Sequence, residues 1–478
     1  MSGPAVSSRP LGGDLTQGPL GRTLLVFALP QLVGNVLQSL NGSINAVWVG
    51  QLLGDQALAA TANANIIMFL IFALVFGFGM AATVRIGQAW GAKDVVAARR
   101  VMGTALGLTG GIALLTSAAG FVYAPVLLDW LATPGGAKAQ AQAYLQVVFI
   151  ANPVSTISMM IAMGLRGAGD AATPLRFMIL TTVLDIALNP LLILGWGPVP
   201  ALGIAGSAWA TVIATTIGFA AMLVWIYARD LPLRLRGSEL RWLRPAAEET
   251  RYLVAKGLPM GAQMVVISGA GVIMIGLVNR EGLVVSAAYG ALLQIWNYIG
   301  MPAMAIGAAV SAMVAQHIGA AREDRVDAIS KAGALANLAM TGAMIAVLVP
   351  FDRPVLELFL GSGSPSVQAA LHIQDLAIWT YLPFGITIVL FGTLRAYGVI
   401  YAQLVVLLAA MYGVRLGAYA LLYPIFGADA LWYSFLLSSI ASLVLTLGVY
   451  FLAPWRKVML ERVGVARDRP DGLSAPDH

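Results

Sequence analysis

The sequence predicts an all-α polytopic membrane protein: twelve transmembrane helices in two parallel six-helix repeats around a central cavity. Three observations carry that expectation. Of 478 residues, 59% are hydrophobic and 10% charged, and the mean hydropathy is +0.83. Soluble domains carry about a quarter charged residues, so too few charges remain here to cover a water-facing surface. Apolar runs near the length needed to cross a bilayer, about 20 residues, occur twelve times. Marks in the first half recur in the second at an offset of 228 or 229 residues.

Residues 1–22, rich in Gly, Pro and Ser, lack the apolar core and cleavage site of a signal peptide and are expected to form a disordered cytoplasmic tail. A first six-helix lobe, 23–228, holds apolar runs at 24–50, 57–84, 101–128, 142–165, 174–195 and 201–227. The charged stretch 229–252 reads as a cytoplasmic linker. A second lobe, 253–453, holds runs at 253–278, 283–315, 332–350, 371–394, 402–424 and 430–453, and 454–478 is a polar cytoplasmic tail.

With the N-terminus in the cytoplasm, the inward loops and tails hold Arg9, Arg22, Lys93, Arg99, Arg100, Arg166, Arg176, the basic linker, Arg322, Arg325, Lys331, Arg395 and the Arg456–Arg469 tail. The outward loops hold only Lys138, Arg280 and Arg353. That asymmetry obeys the positive-inside rule and explains the net charge of +6 without a nucleic-acid partner. Arg85 and Arg415 fall within or at the edge of spans. There is no cysteine, and His317, His372 and His478 are scattered, so neither a disulfide nor a His/Cys metal cluster is expected. A phosphate-binding G-x-x-x-x-G-K-[ST] loop is absent, as is a soluble catalytic domain; the chain does not read as an enzyme. A pore is disfavoured by the lack of a filter-like loop or charge ring.

The repeat pairs Ala28–Pro30 with Gly257–Pro259, Gly79 with Gly307, Gly91–Ala92 with Gly319–Ala320, and Leu165–Gly169 with Leu394–Gly398. Six spans per half is an even number, so the halves run parallel. Such repeats occur in secondary transporters with the substrate cavity between them, and alternating access follows.

Asp185, in "LDIALNP", is the one acid that falls well inside an apolar run. A charge at the bilayer centre costs about 2.5–3.5 kcal/mol, and such residues mark ion pathways; the bland reading is a hydrogen bond between helices. Asn189 lies one turn along the same face, and Pro190 removes a backbone donor there. The first span carries Gln31, Asn35, Gln38, Asn41 and Asn45, and the sixth Thr211, Thr215 and Thr216. These serve either a cavity or helix–helix contact. Tyr144 and Asn152 are further cavity candidates, with Gln263 and Ser268 in span seven and Asp375 near the outer end of span ten. Arg415, inside span eleven, falls opposite Ile186 by the repeat offset and either faces the cavity or pairs with a carboxylate or carbonyl. Met260, Met264, Met274, Tyr289 and Trp296 suit an adaptable binding wall or plain packing.

The stretches "LPQLVGNVLQSLNGSINAVWVGQLLGDQALAA", "GQAWGAKD", "LRGAGDAATP" and "NPLLILGWGPVPALGIAGSAWAT" resemble the MATE family, the multidrug and toxic compound extrusion transporters, from about Leu24 to Leu452. The likeness is closer to the DinF-type branch than to the NorM-type. It implies a bacterial cytoplasmic (inner) membrane location and export of lipophilic, typically cationic compounds against a proton or sodium gradient. The family's cation site maps to Asn45, Asp185, Asn189 and Thr211, with Gln38, Asn41, Tyr144, Asn152, Gln263 and Arg415 assigned to the cavity. This chain has Asn45 where many relatives carry an acid. With a single carboxylate, protons are the expected coupling ion and sodium the alternative. No cofactor is expected; the partners are a small-molecule substrate and the lipid bilayer, and the chain is expected to be a monomer. Two other readings stay open: a lipid-linked precursor flippase of the same superfamily, and a non-transporting membrane scaffold or sensor.

Overall fold

A computed structural model describes residues 14–131, 133, 135–195 and 200–452; most of the two expected tails lies outside these residues. Twelve helices among the described residues are long and apolar enough to span a membrane. In the first lobe they are α1 (Leu20–Leu53), α2 (Asp55–Gly91), α3 (Val95–Trp130), α4 (Ala137–Gly167), α5 (Ala172–Leu194) and α6 (Ile204–Ala228). The second lobe has α7 (Ala247–Arg280), α8 (Leu283–Gly319), α9 (Glu323–Leu360), α10 (Pro365–Ala396), α11 (Ile400–Phe426) and α12 (Asp429–Leu452). Their flanks expose large apolar side chains such as Leu115, Val224, Val272, Leu283 and Val347, as lipid-facing surfaces do. The protein is a multi-pass membrane protein.

Several helices outrun the expected spans. α2 and α8 have 37 residues each, about 55 Å at the helical rise, well beyond the hydrocarbon thickness. Their extra turns continue past the apolar runs because the added residues pack between the lobes. The ends are set locally. The Asp94 side chain accepts from the Ala97 amide at 2.8 Å and caps α3. Gly169 and Gly398, one repeat apart, take positive φ (88° and 74°) just after α4 and α10, a conformation only glycine adopts cheaply.

Repeat-related positions take related places. Pro30 and Pro259 are both helix-internal, α2 packs along α4 as α8 packs along α10, and α2 crosses to α7 and α8. At one end, that of the basic loops, the lobes share cores: Val84 and Ala171 join Met313 and Phe391, and Phe78, Met102 and Ile161 join Leu253, Met260 and Ile400. At the opposite end each lobe has its own core. One is built on Ala57, Leu128 and Phe149, the other on Met274, Trp296 and Trp432. The lobes are thus fused at the basic end and separately packed at the other.

The fused end is held tightly. A Cβ on Gly91 would collide with the Gln316 carbonyl, and one on Gly319 with the Gln88 carbonyl. Gln88 Nε2 donates to the Ala396 carbonyl at 2.9 Å and Gln316 Nε2 to the Gly167 carbonyl at 3.0 Å. Arg85 lies 3.5 Å from Glu249 across the lobes. The last residues of the expected N-terminal tail join this seal rather than stand free: Leu15 is buried, its amide donates to Gln316 Oε1 at 3.2 Å, and Arg322 donates to the Thr16 carbonyl at 2.8 Å. The connection between α6 and α7 is also docked. Arg99 on α3 donates to the Pro232 carbonyl and pairs with Glu239 at 2.7 Å, and Gly103 and Gly107 leave room for Trp242 and Leu243.

Candidate coupling site and central cavity

Asp185 sits midway along α5 and is 1% exposed. Its carboxylate accepts from four neutral side chains on three helices. Asn41 Nδ2 and Asn45 Nδ2 of α1 reach Oδ2 at 2.8 and 2.9 Å. Thr211 Oγ1 of α6 reaches Oδ1 at 2.9 Å, and Asn189 Nδ2 reaches the same oxygen at 3.2 Å. Asn189 also donates to Asn45 Oδ1 and to the Asp185 carbonyl, each at 3.0 Å. A carboxylate facing only donors is satisfied as the anion; a protonated acid would need an acceptor for its own O–H. Two amide oxygens nearby, Asn41 Oδ1 and Asn189 Oδ1, are buried without a partner. Each is one amide rotation from serving as that acceptor.

Hydrogen bonds to a charged group contribute about 1.5–3 kcal/mol each. Asn41→Ala, Asn45→Ala and Thr211→Ala are therefore each expected to destabilise the fold by about 1.5–3 kcal/mol. Thermal midpoints measure this, and unchanged midpoints in all three would show that these donors do not hold the carboxylate.

The second feature is a cavity of about 350 Å³ between the lobes near the fused end. Gln31 and Asn35 of α1, Phe76, Met80 and Thr83 of α2 and Met163 and Arg166 of α4 form one wall. Met260, Gln263, Met264, Ser268, Met304, Phe384, Phe391 and Arg395 form much of the other. Among the described residues its charged lining is two arginines, Arg166 and Arg395, which stand one repeat apart, and no acid. Their Nε–H groups are buried without a hydrogen-bond partner, and neither forms an ion pair among the described residues. Each occupies the last turn of its helix, where the helix dipole favours a cation by about 0.3–1 kcal/mol. Burying an ion costs several kcal/mol, so the dipole does not compensate.

The expected site residues divide between these two places. Asn41, Asn45, Asn189 and Thr211 meet at Asp185, and Tyr144, half-buried in the first-lobe core, lies within electrostatic reach of it. Gln263, Met260, Met264 and Ser268 line the cavity. Gln38 is exposed and is not among the lining residues. Asn152 ties α4 to α3 through Thr116 and Ser117 at 3.3 and 3.2 Å, away from the cavity. Asp375 and Thr216 are exposed, and Thr216 bonds within its own helix.

Arg415 lies outside the cavity too. It is buried in the second lobe, donates through Nε to Ser438 Oγ at 2.9 Å, and stacks 4.4 Å from the Phe435 ring. Tyr289 and Trp296 belong to the same aromatic cluster, and Met274 to the same core. Conversely, Arg166 and Arg395, counted from the sequence as loop charges, line the cavity. Their matched places in "LRGAG" and "LRAYG" were the available signal.

One helix links the two places. On α1, Gln31, Asn35, Gln38, Asn41 and Asn45 recur at spacings of three and four, a single stripe. Its lower members touch the cavity and its upper members hold Asp185, only about 9 Å further along the axis.

The MatE family model matches residues 30–191 and 259–418. The chain is 32% identical to "Probable multidrug resistance protein YoeA" of Bacillus subtilis (strain 168), over 92% of this chain and 96% of that protein. It is 24% identical to a protein named "FAD transporter" from Shewanella oneidensis, over 92% of this chain and 95% of the relative. The fold is similar to a solved structure described as the outward-facing conformation of a multidrug resistance MATE family transporter of the MOP superfamily. The TM-score is 0.83 at 19% identity, covering 96% of this chain and 99% of the other.

Proposed function

The chain belongs to the MatE family, and from that premise we propose that it is a secondary antiporter exporting lipophilic small molecules in exchange for protons. It works by alternating access, as a monomer in a bacterial cytoplasmic membrane with both termini inside. Export of drugs rests on its likeness to a probable multidrug resistance protein. The observation that carries proton exchange is the lone carboxylate of Asp185 held by donors from α1, α5 and α6.

Ionised, Asp185 keeps all four bonds and ties α1 to α5 and α6. Protonated, it must donate, and the Asn41 or Asn189 amide rotates to offer its oxygen. A bond to α1 then changes: Asn41 reverses its bond to the carboxyl group, or Asn189 gives up its bond to Asn45 Oδ1. Because α1 also lines the cavity, the change reaches the cargo site and biases which end opens. A coupled transporter needs such a differential interaction between two states. The basic end fused and the other separately packed fits one member of such a pair.

Purified protein in sealed proteoliposomes tests this with a lipophilic dye and separately imposed gradients. Dye movement is expected to follow a proton gradient and to ignore a sodium gradient. Movement that follows sodium alone would replace the proton, and no movement under either gradient by folded protein would remove the antiport reading.

A further inference from the structure

We propose that the central cavity binds an amphipathic organic anion, its carboxylate, sulfonate or phosphate held between Arg166 and Arg395 and its apolar body resting on the methionine and phenylalanine wall. This rests on the transport reading above and assigns the charge of the cargo. The family resemblance implies a typically cationic cargo, and a cation entering here would meet two guanidiniums and, among the described residues, no carboxylate.

Four observations converge. The two arginines come from matched positions of the two lobes and line one cavity, so each lobe offers one guanidinium to the same space. Each has a buried Nε–H without a partner; a guanidinium keeps its proton in proteins and offers a planar fork that suits carboxylate and phosphate oxygens. Among the described residues no acid lines the cavity and neither arginine forms an ion pair; Asp170, four residues after Arg166, accepts from the Thr173 amide at 2.9 Å instead. The remaining lining, including Met80, Met163, Met264, Met304, Phe76 and Phe384, is a flexible apolar surface that adapts to varied carbon skeletons.

Alternating access gives the pair a further role. The two arginines ride on different lobes, so an anion bound between them bridges the lobes at the fused end. The empty cavity holds two like charges facing one space. Cargo binding thus favours closure of that end, as an exporter loading from it requires.

Calorimetric titration of the full-length protein in detergent with 2-naphthalenesulfonate and, separately, with the 2-naphthyltrimethylammonium cation tests this. The ring is shared and the charge opposite. The anion is expected to bind at least tenfold more tightly than the cation. Arg166→Gln and Arg395→Gln are each expected to weaken anion binding about tenfold or more, with the lysine variants recovering part of it. Size-exclusion profiles and thermal midpoints identify variants that are folded. Displacement of the sulfonate by dodecyl phosphate assigns a free amphiphile, and displacement by phosphatidylglycerol in mixed micelles a lipid headgroup; either supports the site. Equal binding of anion and cation by the wild type, or anion binding indifferent to both arginines in folded variants, overturns it. Arginine-dependent anion binding without gradient-driven transport would leave this site standing and remove the antiport reading instead.

Discussion

Asp185→Asn is expected to leave a folded protein that equilibrates its cargo across the bilayer but no longer accumulates it against a gradient. A pH difference of one unit stores about 1.4 kcal/mol per proton, enough for about tenfold accumulation of a neutral cargo. The variant should bring that ratio to about one. The reason lies in the contacts. Coupling needs a group that changes charge, and the carboxamide has none to change. Its own N–H₂ would also face the amides of Asn41, Asn45 and Asn189 and the Thr211 hydroxyl, all of which now donate to a carboxylate. At least one buried donor is left without an acceptor, at a cost of about 1–3 kcal/mol, visible as a lowered thermal midpoint. Cargo affinity is expected to persist, because Asp185 is not among the cavity-lining residues. Steady-state accumulation in proteoliposomes at fixed pH difference is the measurement, and full accumulation by the variant would refute the role given to this residue.

Gly91→Val and Gly319→Val are expected to stop transport from a different place. Each glycine lies where the other lobe's backbone comes closest, against the carbonyls of Gln316 and Gln88. Any side chain there must push α2 and α8 apart. Overpacking of this kind costs about 1–3 kcal/mol, a shift of about 5- to 150-fold away from the closed basic end. The chain has no native cysteine, so spin labels on cysteines placed at Ala92 and Ala320 report this end alone. The distance between them is expected to lengthen and transport to fall, with the Asp185 hydrogen bonds untouched. An unchanged distance distribution in both variants would show that the glycine contacts do not form the seal. The aspartate and glycine substitutions thus separate the two places: the first removes accumulation with the basic-end contact intact, the others open that contact with the Asp185 hydrogen bonds intact.

Much of the architecture was legible in the chain because bilayer crossing is a constraint on composition. Each span must be apolar over about 20 residues, and the constant repeat offset aligns α2 with α8 and α4 with α10 before any contact is known. The helix lengths were less legible. The last turns of α2 and α8 carry polar residues such as Gln88 and Gln316 that read as loop; they are helical because carbonyls at the opposing helix ends satisfy them.

Asp185 stood out as a lone acid in an apolar run, and its i+4 partner Asn189 was visible from spacing alone. That Asn41, Asn45 and Thr211 converge on the same two oxygens depends on how α1 and α6 pack against α5, across separations of 144, 140 and 26 residues. For Arg415 the repeat offset pointed beside the Asp185 position. The π-helical turn Ala409–Val414 just before it widens the local winding, so the offset no longer predicts facing, and the side chain ends among Ser438 and Phe435. Arg166 and Arg395 show the reverse. By chain position they belong to basic loops, but a helical side chain leans back toward its own N-terminus, and at the last turn of α4 and α10 that direction leads into the cavity.

Residue order alone specifies that this chain spans a membrane with a doubled set of six helices and carries a carboxylate at depth. Those are properties of local composition and of internal likeness. Helix packing adds that the carboxylate is held by neutral donors from three helices, that the cavity is a separate place, and that two arginines line it. Each of those depends on which residues distant in the chain meet, and meeting is set by helix packing rather than by pattern.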